Sequence, residues 1–440
     1  MPTSALATDL YQITMAAGYD HARIDGRSTF ELFVRRMPPR RGYLVAAGLE
    51  QALEYLESLH FTAAEIDCLR SVPALRRVPP RFFDEVLPAF RFRGDVWAVR
   101  EGEPVFAGEP LLRVTAAAAE AQIVETALLA LIPFPTSIAS KAARLVQAAA
   151  GRSVAECGSR RAQGPGAALQ GARAAYLAGC ASTSNVEAGC RFGIPVSGTM
   201  AHSWVMTFER ELDAFRSYLE LFGDGATLLI DTYDTVAAAR AIVENGLRPA
   251  AVRLDSGELP ELSRRVRAVL DEGGLHATRI LVSGDLDEDR IEALVSEGAP
   301  IDAFGVGTAL STSLDAPALG GVYKLVEVER GGGMAPVVKL SAGKQTVGGA
   351  KQVWRVVRDG TAVGDWIGRA DEPPPEDARP LLQPVMVQGR RTRAGGALLR
   401  LRDACLAAVA ELPPGVRRLS GWEQYEVRTT AALRAAAERT

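Results

Sequence analysis

The run Ser197-Gly198-Thr199-Met200-Ala201-His202-Ser203 sets one of the chain's four histidines in a turn of small residues. Upstream, Ile194-Pro195-Val196 is short, apolar and compatible with a strand, and Gly198 allows a sharp turn and close backbone approach to a ligand. Downstream, Trp204, Val205, Phe208 and Leu212 recur at helical spacing, which puts His202 at a strand-to-helix junction. An imidazole titrates near neutrality, so at such a junction it can attack an electrophile or exchange protons. The plainer alternative is a histidine that starts the helix and bonds locally, and position alone leaves both open.

Five further apolar runs in the middle of the chain end in polar residues able to do chemistry. Ser153-Val154-Ala155-Glu156-Cys157-Gly158 leads into Ser159-Arg160-Arg161, and Thr227-Leu228-Leu229-Ile230 into Asp231-Thr232-Tyr233-Asp234. Ala250-Ala251-Val252 leads into Arg253-Leu254-Asp255-Ser256-Gly257, Arg279-Ile280-Leu281-Val282 into Ser283-Gly284-Asp285, and Ala303-Phe304 into Gly305-Val306-Gly307-Thr308. One such ending is an ordinary helix cap, and Asp285 to Asp289 read that way. Six in series place arginines, carboxylates, glycines and a histidine around one rim, as a (β/α) barrel does at the C-terminal ends of its strands. Arg160 and Arg253 supply guanidinium forks for a carboxylate or phosphate. Asp231 and Asp255 can orient hydroxyls or hold Mg²⁺ through water. Gly305 and Gly307 with Thr308 form a short turn whose N–H groups and hydroxyl suit a phosphate. Strand alternation sends residues 253 and 255 to one side, where they can act together.

These ends need a scaffold, and composition allows one. The chain has 440 residues, 48% hydrophobic and 23% charged, enough for two or three cores. A net charge of −3 gives no reason to expect nucleic acid or an anionic membrane as partner. No stretch reads as long and apolar enough to cross a bilayer, and residues 1–20 carry Asp9 and no basic leader, so a cytoplasmic protein is expected. Five cysteines without a CxxC pair argue against a disulfide framework or structural zinc, and Cys157 reads as a buried inert thiol. Of only five lysines, Lys324, Lys339, Lys344 and Lys351 cluster, hinting at contacts that want a compact ammonium. The expectation is that Lys324 supports the barrel rim and that Lys344 or Lys351 meets a phosphate.

Three regions are expected. Residues 1–115 read as an α/β segment, with a helix at 8–20, an extended 28–34, a helix near 45–58, and a small β meander at the paired Gly-Glu-Pro turns 102–104 and 108–110. Residues 116–328 alternate alanine-rich helices with short apolar strands, the pattern of a parallel sheet. Residues 329–440 open on a glycine loop at 331–333, include a linker-like proline patch at 373–384, and end in a helical tail.

Six motifs in order resemble the nicotinate phosphoribosyltransferase family: Leu6-Ala7-Thr8-Asp9-Leu10-Tyr11-Gln12, Phe30-Glu31-Leu32-Phe33-Val34-Arg35, Arg160-Arg161-Ala162-Gln163-Gly164-Pro165, Gly198-Thr199-Met200-Ala201-His202-Ser203, Val252-Arg253-Leu254-Asp255-Ser256-Gly257 and Gly320-Gly321-Val322-Tyr323-Lys324-Leu325. The resemblance covers roughly residues 5–355. It implies an irregular (β/α) barrel of the type II phosphoribosyltransferases, with an N-terminal α/β domain completed by C-terminal segments. It implies nicotinate mononucleotide and pyrophosphate made from nicotinate and phosphoribosyl pyrophosphate (PRPP) with Mg²⁺, coupled to ATP hydrolysis. It also implies a homodimer in which Tyr11 reaches the neighbouring subunit's site.

Position by position, the resemblance makes His202 a transient phosphohistidine, gives Arg253, Thr199 and Tyr11 contacts to nicotinate, and gives Thr308 a contact to PRPP. Arg160 is expected on phosphate or ring, with Asp255, Asp231 and Gly284 around them. Related nicotinamide enzymes carry aspartate where this chain has Ser184, so nicotinate is expected over nicotinamide. A barrel lyase or metal-dependent hydrolase would place a His-x-His pair or a lysine at a strand end, and neither stands at these ends. A nicotinamide-specific enzyme and a catalytically silent homologue remain the alternatives.

Overall fold

A computed structural model describes residues 4–339, 347–392 and 395–438, which form two compact units: 1–137 with 318–440, and 138–317. Lys344 lies outside the described residues.

The first unit is built on a seven-stranded antiparallel sheet whose strands follow the order Gly333–Pro336, Gly321–Arg330, Arg27–Val34, Pro110–Ala117, Asp95–Val99, Leu382–Val387, Arg390–Arg391. The N-terminal strands thus find neighbours from beyond residue 320 on both sides, which is why the last third of the chain joins the first. Leu32, Val34, Val96, Leu112 and Val114 are fully buried in its core, and Phe30 stacks on Tyr323 at 4.8 Å. The helix Leu10–His21 starts with a capping box between Asp9 and Gln12. A four-stranded sheet, Ala378–Pro380, Lys351–Arg358, Thr361–Arg369, Val427–Thr429, buries Arg355 completely. Arg355 makes bonds of 2.9 and 2.6 Å to Asp365 and one of 2.7 Å to Glu103, while the Tyr425 hydroxyl donates to Asp365 at 2.9 Å.

Several sequence expectations change in this unit. The Gly-Glu-Pro turns make no single meander: Pro104–Val105 pairs with Leu44–Val45 in a two-stranded sheet, and Pro110–Ala117 lies in the large one. Leu44–Val45 is therefore strand, and the helix after it runs Leu49–Ser58. The patch 373–384 is no linker, because Leu381 and Leu382 are buried and strand Leu382–Val387 pairs with Asp95–Val99. Lys324 sits in the large sheet rather than on a barrel rim. Lys351 is buried, with Nζ 2.8 Å from Glu31 and 3.0 Å from the Gly349 carbonyl, which spends its charge on structure. The helical run Glu125–Ala148 is long and apolar enough to cross a membrane, contrary to expectation, but 72% of its apolar window is buried inside the fold, as in a core helix. The unit boundaries at 137/138 and 317/318 also differ from 115/116 and 328/329, because helices Ala118–Ile123 and Glu125–Leu131 and strand Gly321–Arg330 pack with the large sheet.

The second unit carries six parallel strands: β1 (Ser153–Glu156), β2 (Ser182–Thr183), β3 (Thr227–Leu229), β4 (Ala251–Leu254), β5 (Arg279–Val282) and β6 (Ala303–Val306). Their order in the curled sheet is β2-β1-β6-β5-β4-β3. Chain neighbours are therefore sheet neighbours, and the sheet is open only between β2 and β3, as in an irregular barrel. Helices follow β1, β3, β4 and β5, and Asp234 and Asp287 cap two of them by accepting from Ala237 N–H at 2.8 Å and Arg290 N–H at 2.9 Å. Ile194-Pro195-Val196 contributes one bridge, Val196 to Thr183, rather than a strand. Lys141 is buried between Glu288 and Asp315, and Arg144 bonds Glu288 at 2.9 Å.

Candidate active site

The C-terminal ends of β1 to β6 bring most of the expected residues together. Arg253, on β4, donates from Nε to Ser283 Oγ at 2.8 Å and from Nη2 to Asp255 Oδ1 at 2.6 Å. Ser283, just past β5, donates to the same Asp255 oxygen at 2.5 Å. Burial opposes ionisation of Asp255, but the Ser283 hydroxyl, the Arg253 guanidinium and His202 outweigh it and hold the carboxyl below its ordinary range. Asp255 is thus an anion that, together with Ser283, fixes two of the three guanidinium nitrogens of Arg253. The residues between are held as tightly: Asp231 Oδ2 accepts from Asp255 N–H at 2.8 Å and from Ser256 Oγ at 2.7 Å. Gly284 has φ +93°, and a Cβ there would lie 2.1 Å from the Asp255 carbonyl oxygen, so only glycine lets β5's end approach β4's this closely.

His202 is the first residue of helix His202–Met206, on the excursion that crosses the open edge between β2 and β3. Nε2 is 3.8 Å from Asp255 Oδ2, and Nδ1 is 3.2 Å from Thr232 Oγ1, just past β3. Its side chain is 40% exposed, so the imidazole is oriented from both ring nitrogens yet open to a substrate. Thr199 in the same loop gives its hydroxyl hydrogen to the Thr227 carbonyl and so anchors the loop to β3.

On the other side, Cys157 follows β1, with its N–H donating to the Val306 carbonyl at 2.8 Å. Burial, then the Glu156 charge, push its thiol up to about 11, so it is inert as expected. The same thiol lies within range of Ser184, Arg253 and Arg160, which joins these three around one wall. Gly158 packs on the turn after β6, where a Cβ would meet Ser311 Cβ at 2.4 Å and the Gly307 carbonyl oxygen at 2.8 Å. That contact sets the exposed Arg160 beside the Gly305-to-Thr308 turn, and Thr308 opens the short helix Thr308–Ser311.

Tyr11 belongs to the first unit, where burial and then the Glu125 carboxylate push its phenol up to about 12. Four residues with no assigned task also belong to the site: Thr232 and Ser283, which orient His202 and Arg253, and Glu156 and Glu211. Glu211 is pushed up to about 7 by burial and by the charges of Asp231 and Asp234, and its Oε1 is buried without a hydrogen-bond partner among the described residues. Thr232 and Ser283 carry the sequence signal of position, three residues and one residue past their strand ends; Glu211 carries none.

Comparison with known proteins agrees with this architecture. Residues 138–316 match the quinolinate phosphoribosyl transferase C-terminal domain, and residues 6–133 match the nicotinate phosphoribosyltransferase (NAPRTase) N-terminal domain. Fold and site together define a type II phosphoribosyltransferase architecture. A nicotinate phosphoribosyltransferase of Mycobacterium tuberculosis, pncB2, is 44% identical over 94% of this chain and 89% of its own length, and one of Bacillus subtilis is 43% identical over 84% and 76%. The crystal structure of human nicotinic acid phosphoribosyltransferase superposes with a TM-score of 0.87 at 30% identity, over 98% of this chain and 99% of that one. The chain belongs to the nicotinate phosphoribosyltransferase family.

Proposed function

We propose that the protein joins nicotinate to PRPP, forming nicotinate mononucleotide and pyrophosphate, with ATP hydrolysed through a phosphohistidine at His202. The observation that carries this reading is the Arg253-Asp255-Ser283 group with His202 beside it. Asp255 and Ser283 hold two Arg253 nitrogens, leaving the third side of a rigid fork for the nicotinate carboxylate. The nicotinate ring nitrogen attacks C1′ of PRPP, and the bond to pyrophosphate breaks with its electron pair on the leaving oxygen. Charge develops on ribose and pyrophosphate, so fixed positive groups such as Arg160, with the Thr308 hydroxyl and the Gly305 and Gly307 turn, do the stabilising.

In the coupled step a His202 nitrogen attacks the γ-phosphorus of ATP and ADP departs; water later cleaves the N–P bond to give phosphate. Thr232 and Asp255 orient the ring, and the phosphoryl group adds negative charge beside the bound substrates until it is hydrolysed. The donor set also suits Mg²⁺. Asp231 Oδ1 is buried without a hydrogen-bond partner among the described residues, and Asp255 is held as an anion. Among the described residues no three His, Cys, Asp or Glu side chains are grouped to bind a metal ion by themselves, which fits an ion held by Asp231 and Asp255 through water and completed by substrate phosphates. Such an ion supplies neutralisation of pyrophosphate charge. Ser184, neutral and beside Cys157, does not repel a carboxylate and lacks the charge with which an aspartate would draw an amide N–H, which supports nicotinate over nicotinamide. In a homodimer, the exposed Tyr11 is the residue to reach the neighbouring subunit's site.

The test is mononucleotide formation from nicotinate and PRPP with Mg²⁺, with and without ATP, in wild type and His202→Ala. Synthesis stimulated by ATP, with the stimulation lost in the variant, is the expected result. Synthesis equally stimulated in the variant refutes the histidine's role, and no product from nicotinate refutes the reaction.

A further inference from the structure

Glu156 ends β1 with 2% of its surface exposed, and the reaction proposed above gives it no task. Burial pushes its carboxyl up against the pull of two hydrogen bonds, so keeping it as an acceptor here has a stability cost. Those bonds go to two different loops. Oε1 accepts from Gly158 N–H at 2.5 Å, at the base of the loop that carries Arg160, and Oε2 accepts from the Thr183 hydroxyl at 2.6 Å, at the end of β2. Thr183 Oγ1 in turn accepts from Asn185 N–H at 3.0 Å, and Asn185 Nδ2 donates back to Ser159 Oγ at 3.0 Å, closing a ring of bonds between the loops. The Glu156 carbonyl accepts from Ser184 N–H at 2.8 Å, so the same residue fixes Ser184 from its main chain. The β1–β6 ladder does not use the carboxylate at all.

We infer that Glu156 is a positioning residue for base recognition: its carboxylate ties the Arg160 loop to the Ser184 loop and so fixes where both loops stand beside the base whose carboxylate Arg253 receives. The inference rests on the nicotinate reading of the site. Glutamine at this position keeps the shape but loses the charge: its oxygen can still accept from Gly158 N–H, while its NH₂ group can only donate to the Thr183 hydroxyl, so one bond is reversed and both ties are weakened.

The test compares Glu156→Gln, Thr183→Val and the double variant, with Thr183→Ser as the control that retains the hydroxyl. Hydrogen exchange in the substrate-free protein should be about tenfold faster at the Gly158 and Asn185 amides in Glu156→Gln and Thr183→Val, and unchanged in Thr183→Ser. Steady-state kinetics should show KM for nicotinate raised about tenfold in each of the first two, with kcat within threefold, and the double variant no worse than the poorer single one. Unchanged exchange in folded variants, a nicotinate KM within twofold of wild type, or additive effects in the double variant would overturn the inference. A wild type inactive on nicotinate refutes the proposed function, and the exchange measurement then decides by itself whether the tie between the loops exists.

Discussion

Replacing Asp255 with asparagine separates the charge of this residue from its shape. In the wild type one oxygen, Oδ1, receives both Arg253 Nη2 at 2.6 Å and Ser283 Oγ at 2.5 Å, and the two side chains of the ion pair are only 20% and 29% exposed. A hydrogen bond to a charged partner contributes about 1.5–3 kcal/mol and a neutral one about 0.5–1.5, so the amide weakens the hold on Arg253 by about 1–2 kcal/mol. If Arg253 must be rigid to receive the nicotinate carboxylate, that difference appears as loss of affinity for the base, about 5- to 30-fold at roughly 1.4 kcal/mol per tenfold. Initial rates of pyrophosphate release at saturating PRPP should show the loss in KM for nicotinate. The KM for PRPP should move less than threefold, and kcat/KM for nicotinamide, which lacks the carboxylate, should hardly fall. A nicotinate KM within twofold of wild type in a folded variant, or equal losses for both bases, would refute the idea that Asp255 acts by aiming Arg253.

Ser184→Asp should move the ratio of kcat/KM values toward nicotinamide by tenfold or more, since an aspartate accepts from the amide and repels the carboxylate; an unchanged ratio sinks the proposed selectivity. Glu211 makes a statement about pH. Its folded-state value near 7 stands above the ordinary carboxyl value, so the folded protein binds more protons than the unfolded chain between pH 4.5 and about 7, and stability falls as pH rises through that window. In magnesium-free buffer, the Tm of Glu211→Gln relative to wild type should therefore rise from pH 5 to pH 8, and a flat difference contradicts the assignment. In the first unit, Asp365→Asn leaves the fully buried Arg355 without its bidentate partner and should cost about 3–5 kcal/mol in denaturant unfolding; a loss below 1 kcal/mol would show that Glu103 alone satisfies the guanidinium.

The strand ends of the second unit were legible because parallel strands are short apolar runs and the residues past each are polar, so Arg253, Asp255, Asp231 and Ser283 fall where local pattern puts them, whereas His202 starts its helix after a single bridge at Val196 and not after a strand. What escaped was set by distant partners. Pro104 and Pro110 follow identical turns, yet their strands enter different sheets, because Leu44–Val45 claims one and Arg27–Val34 the other. The proline patch near 380 looks like linker until Asp95–Val99 offers it an edge. Lys351 looks like a phosphate ligand until Glu31, 320 residues away in sequence, meets it in the core. Glu156 and Glu211 are ordinary glutamates in the sequence; Thr183 gives the first its meaning, and burial with the charges of Asp231 and Asp234 gives the second its raised pKa.

The strand order of the second unit also bears on how the protein acquires its site during folding. Four of its five strand pairings join residues only 22 to 28 apart in the chain, such as Leu281 with Ala303 and Arg279 with Ala251. The fifth, β1 with β6, joins Ser153 to Ala303, 150 residues apart. Loop-closure entropy makes that step about 1.5 kcal/mol dearer than its neighbours, and slow folding follows non-local pairing. It is the step that brings the Cys157-to-Arg160 loop against the Gly305-to-Thr308 turn. In refolding, recovery of substrate binding should therefore lag the appearance of β-structure, with the site as the last part of the unit to form.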